Sequence, residues 1–510
     1  MPPLGSPVIP RRAWSVEACM GHCVLWGAEA AAHLPGSRYD GRAYARELVD
    51  LLRWGVEQGI NAIDILHGER GGYADPGGLL LEDEALAVGV PFAVGGHVGH
   101  GFPHWMPAGL LERRPELGRV DHRGQLSPGG NLCTARPEAL GRAVGELTRL
   151  LDRHPRSAVV QVFPDDVAGG SWCHCPRCRD RSPTEQYAIL TAAVAGALDA
   201  RQPGVEVGYL LYHDTLAGIA APAASVPGFP PPNVYGLFAP RERCYAHAID
   251  DPRCPRNQFY WQHLLRAREV FGGRLDVFEY YGDTILWHYF NVAIPHVIDA
   301  DLRAYARVGV REVQALAFGA YSRWAHGLNL AAFAGLASGA LPDADAAVTH
   351  HAVQWFGGAL ESDMAAYCEA LEAAQAGYLA MCAYGEDWMC DLRGFGPPSP
   401  HYGEHRRRAA ASREAFGGLR DRLERAARRS PTPEATERVA AERAALEITG
   451  VELELLELRL AVAERATVDP AATWSEAERA RCDQARQRQW DLATRVPLAI
   501  RGQAFGALAP

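Results

Sequence analysis

The sequence predicts an α/β protein, a (β/α)8 TIM-type barrel followed by an all-α helical C-terminal domain. Two observations carry this reading. First, short apolar runs rich in β-branched residues, punctuated by Gly, Pro or Asp, alternate with helical patterns from residue 12 to about 340. Eight such rounds in about 330 residues fit a closed barrel better than an open doubly wound sheet, and no Gly-rich dinucleotide fingerprint competes. Second, the character changes after Pro342: Ala, Glu, Arg and Leu dominate and strand signals stop. The expected domains are a catalytic barrel over 1–342 and a helical domain over 343–510.

Taken in order, the strands are expected at 12–18, 62–66, 91–95, 158–163, 205–211, 234–238, 275–280 and 312–318. A helix over 43–58 is signalled by Leu48, Leu52 and Val56 at i, i+4, i+8 and by the stop at Gly59. The same device recurs over 299–308, ending at Gly309, and helical patterns also cover 137–152, 183–200, 257–271 and 329–340. Helices after the second and fifth strands are weakly marked. The connection over 96–136 is about 40 residues long, a length that inside a compact domain usually serves function. Breaks at 394–400, 430–433 and 469–473 divide the C-terminal part into roughly four helices, with coil from Pro497. Arg406, Arg407 and Arg408 read as a solvated helix face beside Glu404 and Glu414. Such a helical domain also offers a surface for homo-oligomer formation.

All 51 basic residues are Arg, and no Lys occurs. Pyridoxal enzymes, Schiff-base aldolases, P-loop proteins and protein kinases each need a lysine amine, so these classes are excluded. A net charge of -10 argues against a basic grip on nucleic acid or anionic lipid. There is no run of eighteen apolar residues and no apolar signal core in the first twelve, so the expectation is a cytoplasmic protein without a membrane partner. In that compartment the 12 Cys would be reduced, and close cysteines read as metal ligands or small hydrophobes.

In a barrel of this kind the active site lies where the strands end. The third strand runs into Gly96-His97 and His100, the fourth into Asp165-Asp166, the fifth into Tyr212-His213-Asp214 and the sixth into Arg241-Glu242-Arg243. The seventh ends in Glu279-Tyr280-Tyr281, and the eighth is followed by Tyr321, Trp324 and His326. Carboxylates among aromatic rings suit glycosidic cleavage: an acid for the leaving oxygen, an anion for the oxocarbenium-like transition state, and flat faces for sugar rings. Asp165 and Asp166 form the sharpest pair, one to hold a substrate amide and the other to donate the proton, although Asp-Asp can also simply open a turn. Glu279 is the candidate partner across the mouth, as nucleophile, base or acceptor, with a structural ion pair as the competing role. His97, His100, His213, Tyr212, Tyr281 and His326 are candidate sugar contacts, and Arg241 and Arg243 are the nearest cations for an anionic substrate group. Trp105, Trp172, Trp287 and Trp324 are candidate stacking platforms, although any one such residue alone is more often core.

Cys173, Cys175 and Cys178 in C-x-C-x-x-C spacing can hold three corners of a tetrahedral zinc, with Cys133, Cys244, Cys254 or a His as fourth ligand; a packed reduced thiol cluster is the alternative. The chemistry itself requires no cofactor. A deaminase reading fails, because His67-Gly68-Glu69 and the cysteine segment belong to different strand ends and the latter reads C-P-R-C.

The run from Val162 through Asp165-Asp166 to Trp172 and the cysteine segment ending at Cys178 resembles the alpha-glucuronidase-like domain family related to glycoside hydrolase family 163. Further matching positions are Gly96-His97 with His100, Asn131 to Cys133, Arg243-Cys244 with His247, Cys254 with Asn257, and Glu279-Tyr280-Tyr281. The resemblance implies a barrel glycosidase with a helical C-terminal domain and endo-β-N-acetylglucosaminidase activity, in which the substrate's acetamido group attacks its own anomeric carbon. Carried onto this chain, it makes Asp166 the general acid and Asp165 the group that orients the acetamide; family members often have Asn at the position of Asp165. The expected partner is an intracellular oligosaccharide or a small glycosylated metabolite. Two other readings stand beside it: a metal-dependent hydrolase using the Cys and His residues, and a non-catalytic carbohydrate-binding barrel.

Overall fold

Eight parallel strands close on themselves in chain order: β1 (Arg11–Glu17), β2 (Ala62–Leu66), β3 (Phe92–His97), β4 (Val159–Phe163), β5 (Glu206–Leu211), β6 (Val234–Phe238), β7 (Leu275–Gly282) and β8 (Glu312–Ala317). β8 returns to pair with β1, with Arg11 opposite Glu312 and Val16 opposite Ala317. The computed structural model describes residues 8–17, 41–66, 76–98, 106, 110–127, 129–166, 168–169, 171–220, 226–283, 286–287, 291–317, 326–380, 401–469 and 471–493.

The outer layer contains α1 (Gly41–Gln58), α2 (Pro76–Ala87), α3 (Pro137–Arg153), α4 (Pro183–Arg201), α5 (Pro255–Phe271), α6 (Pro295–Val308) and α7 (Gly327–Ser338). Their ends follow local chemistry. Ser182 caps α4 in a reciprocal box with Glu185, and Pro183 opens the helix. α6 stops at Gly309, whose φ of 78° is open to glycine at little cost. The weakly marked helix after β2 is present as α2, whereas the described residues after β5 hold a 3-10 turn, His213–Thr215.

Strand alternation sorts each strand between lumen and helix layer. Trp14 of β1 points outward, stacking on Trp54 and packing at a tilt against Phe333, at ring distances of 6.1 and 5.7 Å. The lumen floor is polar. Arg11 pairs with Glu312 at 2.8 Å, and Arg311 bridges Asp276 at 2.7 Å and Glu206. One layer higher, Gln161 donates to Tyr235 at 2.9 Å and to Asp64 at 3.3 Å. Gly95 and Gly208 lie in register on either side of Gln161. A Cβ at Gly208 would run into the Gln161 amide, and one at Gly95, where φ is 129°, into the Gln161 backbone.

Beyond the barrel come α8 (Ala344–Phe356), α9 (Glu361–Leu379), α10 (Tyr402–Arg429), α11 (Pro433–Val468) and α12 (Glu476–Ala493). That is five helices among the described residues rather than about four. The extra break lies at Gly357-Gly358, where φ of 87° at Gly357 ends α8. The breaks near 430 and 469 fall where the sequence marks them, while 394–400 and the end from Pro497 lie outside the described residues. Arg406 and Arg408 are engaged by Glu464 and Glu404. These helices grip the loop after β7: Ala293 N–H donates to Gln375 at 2.9 Å, Asn291 N–H to Thr449 at 3.3 Å, and the Asn291 amide to Glu442. One continuous apolar core runs from the barrel into α11. No helix among the described residues is long and apolar enough to cross a membrane.

Candidate active site at the strand ends

The fourth strand delivers two carboxylates into unlike surroundings. Asp165 is buried: its backbone N–H donates to Asn131 Oδ1 at 2.9 Å and its Oδ2 accepts from Ser171 Oγ at 2.6 Å. Asp166, one residue on, is exposed. Beside it Tyr212 and Tyr280 carry phenols that burial raises well above the ordinary tyrosine value. The negative charges of Asp166 and Glu242 add to that rise and Arg241 opposes it. Both phenols therefore stay protonated at neutral pH and act as donors.

The rest of this cluster comes from β5, β6 and β7. His213 packs on Tyr212 with ring centroids 3.7 Å apart, and its φ of 45° is the sole positive value for a non-glycine among the described residues. Strain of this kind collects at functional sites. His213 Nδ1 lies 3.7 Å from Glu242 Oε2, which accepts from Tyr260 at 3.3 Å. Glu242 Oε1 is buried and accepts no hydrogen bond among the described residues; the Arg241 guanidinium lies 3.7 Å away. Arg241 also pairs with buried Asp283 at 3.3 Å and lies 5.8 Å from the centre of the Tyr280 ring. His97 stands on the wall between β3 and β4, its Nδ1–H donating to the Pro164 carbonyl at 2.6 Å and its ring edge-on to Phe163. Trp172 donates from its indole N–H to Asp214 at 2.9 Å, which ties the loop after β4 to the turn after β5.

Several expected contacts lie elsewhere. Glu279 and Tyr281 alternate with Asp276 and Tyr280 along β7 and point to the helix layer. Glu279 is fully buried, 3.2 Å from Arg243, and accepts from Tyr305 and from Tyr245 at 3.5 Å. Arg243 is fully buried as well and bonds Asp301, to which Tyr281 donates at 3.1 Å. Burial works against the Arg243 charge, but Asp301 and Glu279 outweigh it and raise its pKa well above the usual value. These residues form an ion network that docks α6, so a sugar-facing role for Glu279 or Tyr281, or an anion-binding role for Arg243, does not fit their position. His326 caps α7 in the interior, and burial pushes its pKa down to about 3, so it is a neutral internal group rather than a sugar contact. Trp287 is core. His100, Trp105, Tyr321 and Trp324 lie outside the described residues.

A family model described as a domain of unknown function (DUF4838) matches residues 85–330, a segment that takes in β3 to β8 and the whole cluster above. No curated protein matches the chain. Among solved structures, a mutant O-GlcNAc hydrolase from Thermobaculum terrenum is similar with a TM-score of 0.47 and 11% identity, over 98% of this chain and 93% of that one.

Next to Asp165, the loops after β3 and β4 meet in a knot of sulfur. Cys133, Cys173, Cys175 and Cys178 are all buried with their sulfurs within 4.8 Å of one another. A second group, Cys244, His247 and Cys254, gathers at the start of α5 around Asn257, whose amide donates to the carbonyls of Cys244, His247 and Ala248.

Glu242 and Asp283 are members of the mouth that sequence reasoning missed. Glu242 was visible in position, named among the polar residues immediately past the sixth strand, but was given no role of its own. Only the fold shows that Arg243 turns away into the α6 network and leaves Glu242 with Arg241. Asp283 carried no comparable signal.

Proposed function

We propose that this protein is a glycoside hydrolase acting on an N-acetylhexosaminide within an oligosaccharide or a small glycosylated metabolite. One observation supports this above the others: adjacent carboxylates at the end of β4, one buried and hydrogen-bonded, the other exposed and close enough for its charge to act on the Tyr212 and Tyr280 phenols. A pair in such different environments divides naturally into two roles.

Asp166 is the general acid. As the bond to the leaving oxygen breaks, its proton passes to that oxygen, while the acetamido carbonyl oxygen of the same sugar forms a bond to the anomeric carbon. Asp165, fixed by Ser171 and Asn131, orients the acetamide and balances the positive charge that develops on it. Asp166, now a carboxylate, takes a proton from the water that opens the cyclic intermediate. Glu242 Oε1 is an acceptor for a sugar hydroxyl, and the faces of Tyr212 and His213 offer surface for a ring.

The test is hydrolysis of aryl N-acetylhexosaminides. Asp166→Asn is expected to lower kcat/KM by about 10²- to 10⁴-fold for a poor leaving group and much less for a dinitrophenyl group, whose departure needs no acid. An equal loss with both leaving groups, or none with either, would remove Asp166 from this role.

A further inference from the structure

We infer that Cys133, Cys173, Cys175 and Cys178 bind one zinc ion as a closed four-thiolate site that staples the loop after β3 to the loop after β4. The spacing of the sulfurs is the main support. Zinc bonded to sulfur at about 2.3 Å in a tetrahedron puts its ligands about 3.8 Å apart. Cys133 Sγ lies 3.8 Å from Cys175 Sγ and 4.0 Å from Cys178 Sγ. A disulfide would bring two sulfurs to about 2 Å, and the four thiols are instead all free.

The surroundings are built for the same purpose. Between Cys175 and Cys178 the chain makes a tight turn, with Cys178 N–H and Arg179 N–H donating to the Cys175 carbonyl at 2.8 and 2.9 Å. Val120 N–H donates to Cys173 Sγ at 3.4 Å, the kind of contact that stabilises charge on a thiolate. Gln186 of α4 clamps Cys173 through its backbone, accepting from N–H at 3.1 Å and donating to the carbonyl at 3.2 Å. Val120 and Ala135 cover the group with apolar surface. Binding releases the thiol protons to solvent, and four sulfurs leave no coordination position for substrate or water, so the role is structural.

The consequence reaches the mouth. Cys133 and Cys175 are 42 positions apart, and the staple sets Asn131, just before Cys133, and Ser171, just before Cys173, the two residues that hold Asp165. The site does not depend on the proposed activity, and its test does not use it.

The experiment is elemental analysis and zinc-edge X-ray absorption on the full chain, purified with zinc and dialysed without chelator. The expected result is one zinc per chain with four sulfur neighbours at about 2.3 Å. Cys173→Ser with Cys178→Ser should lose that zinc, and Cys254→Ser should keep it. A chain that holds less than about a tenth of an equivalent overturns the proposal, as does iron in place of zinc. So does a shell of mixed nitrogen and sulfur, which would point to Cys244, His247 and Cys254. The absorption measurement uses the unaltered protein, so it decides the matter even if the double variant fails to fold.

Discussion

Glu242 and Glu279 both follow or end a strand and both touch an arginine, yet they belong to different chemistry. Glu279 has its oxygens taken by Arg243, Tyr305 and Tyr245, and its removal takes from buried Arg243 one of its two carboxylate partners, Asp301 being the other. Glu279→Gln is therefore expected to cost about 1–3 kcal/mol of stability, read as a shifted urea midpoint. Glu242→Gln should leave the urea midpoint near its original value. It should lower kcat/KM on the aryl glycosides about tenfold or more, mainly through KM, by replacing a charged acceptor with a neutral one. The residue types around the mouth were legible in the sequence, and so were three of the four cysteines that gather beside Asp165, with Cys133 one of several candidates for the fourth place. What was not legible is which way each side chain faces. A one-residue difference along β7 separates Tyr280 at the mouth from Glu279 in the helix layer, and a bulge between Glu279 and Gly282 falls at that point. His326 shows the same limit. It follows a strand end in sequence, but the chain carries it inside before α7 begins.

At the level of elements the sequence was more informative, because strand and helix ends are written in local chemistry. β2 and β6 match their expected bounds, and the start of α4 at Pro183 and the stop of α6 at Gly309 fall where the sequence marks them. The break between α8 and α9 was missed, since two glycines after an aromatic residue resemble an ordinary surface turn. Less visible still is the relation between β3, β4 and β5, where two glycines make room for one glutamine across the lumen. Gly208→Ala is expected to push the Gln161 amide off Tyr235 and Asp64, destabilising the fold by about 1–3 kcal/mol. Gly95→Ala should cost more, because the obstacle there is backbone and φ is positive. Chemical denaturation of the two variants side by side checks the order.

For the molecule as a whole, the polar floor makes stability depend on pH. Burial, with the nearby Glu312 charge, raises Asp64 to about 8, and burial raises Asp276 to about 7. In the unfolded chain these carboxyls titrate at about 4. The folded state thus holds protons that the unfolded state releases, and this contribution is full below pH about 4 and lost as pH rises towards 8. His326 and His351, lowered to about 3 by burial, act in the opposite sense: their contribution is present above about 6.5 and lost as pH falls. Asp64→Asn should therefore gain on the parent protein as pH is raised from 5 to 8, seen as a smaller fall of the thermal midpoint over that interval. The same floor has an optical consequence. A carboxylic acid kept neutral in a buried setting absorbs infrared light as a carbonyl, away from the bands of ionised carboxylates and backbone amides. Asp64 would thus be a built-in vibrational probe, reporting whether the surroundings inside the closed ring of strands change when the mouth above it takes up a ligand.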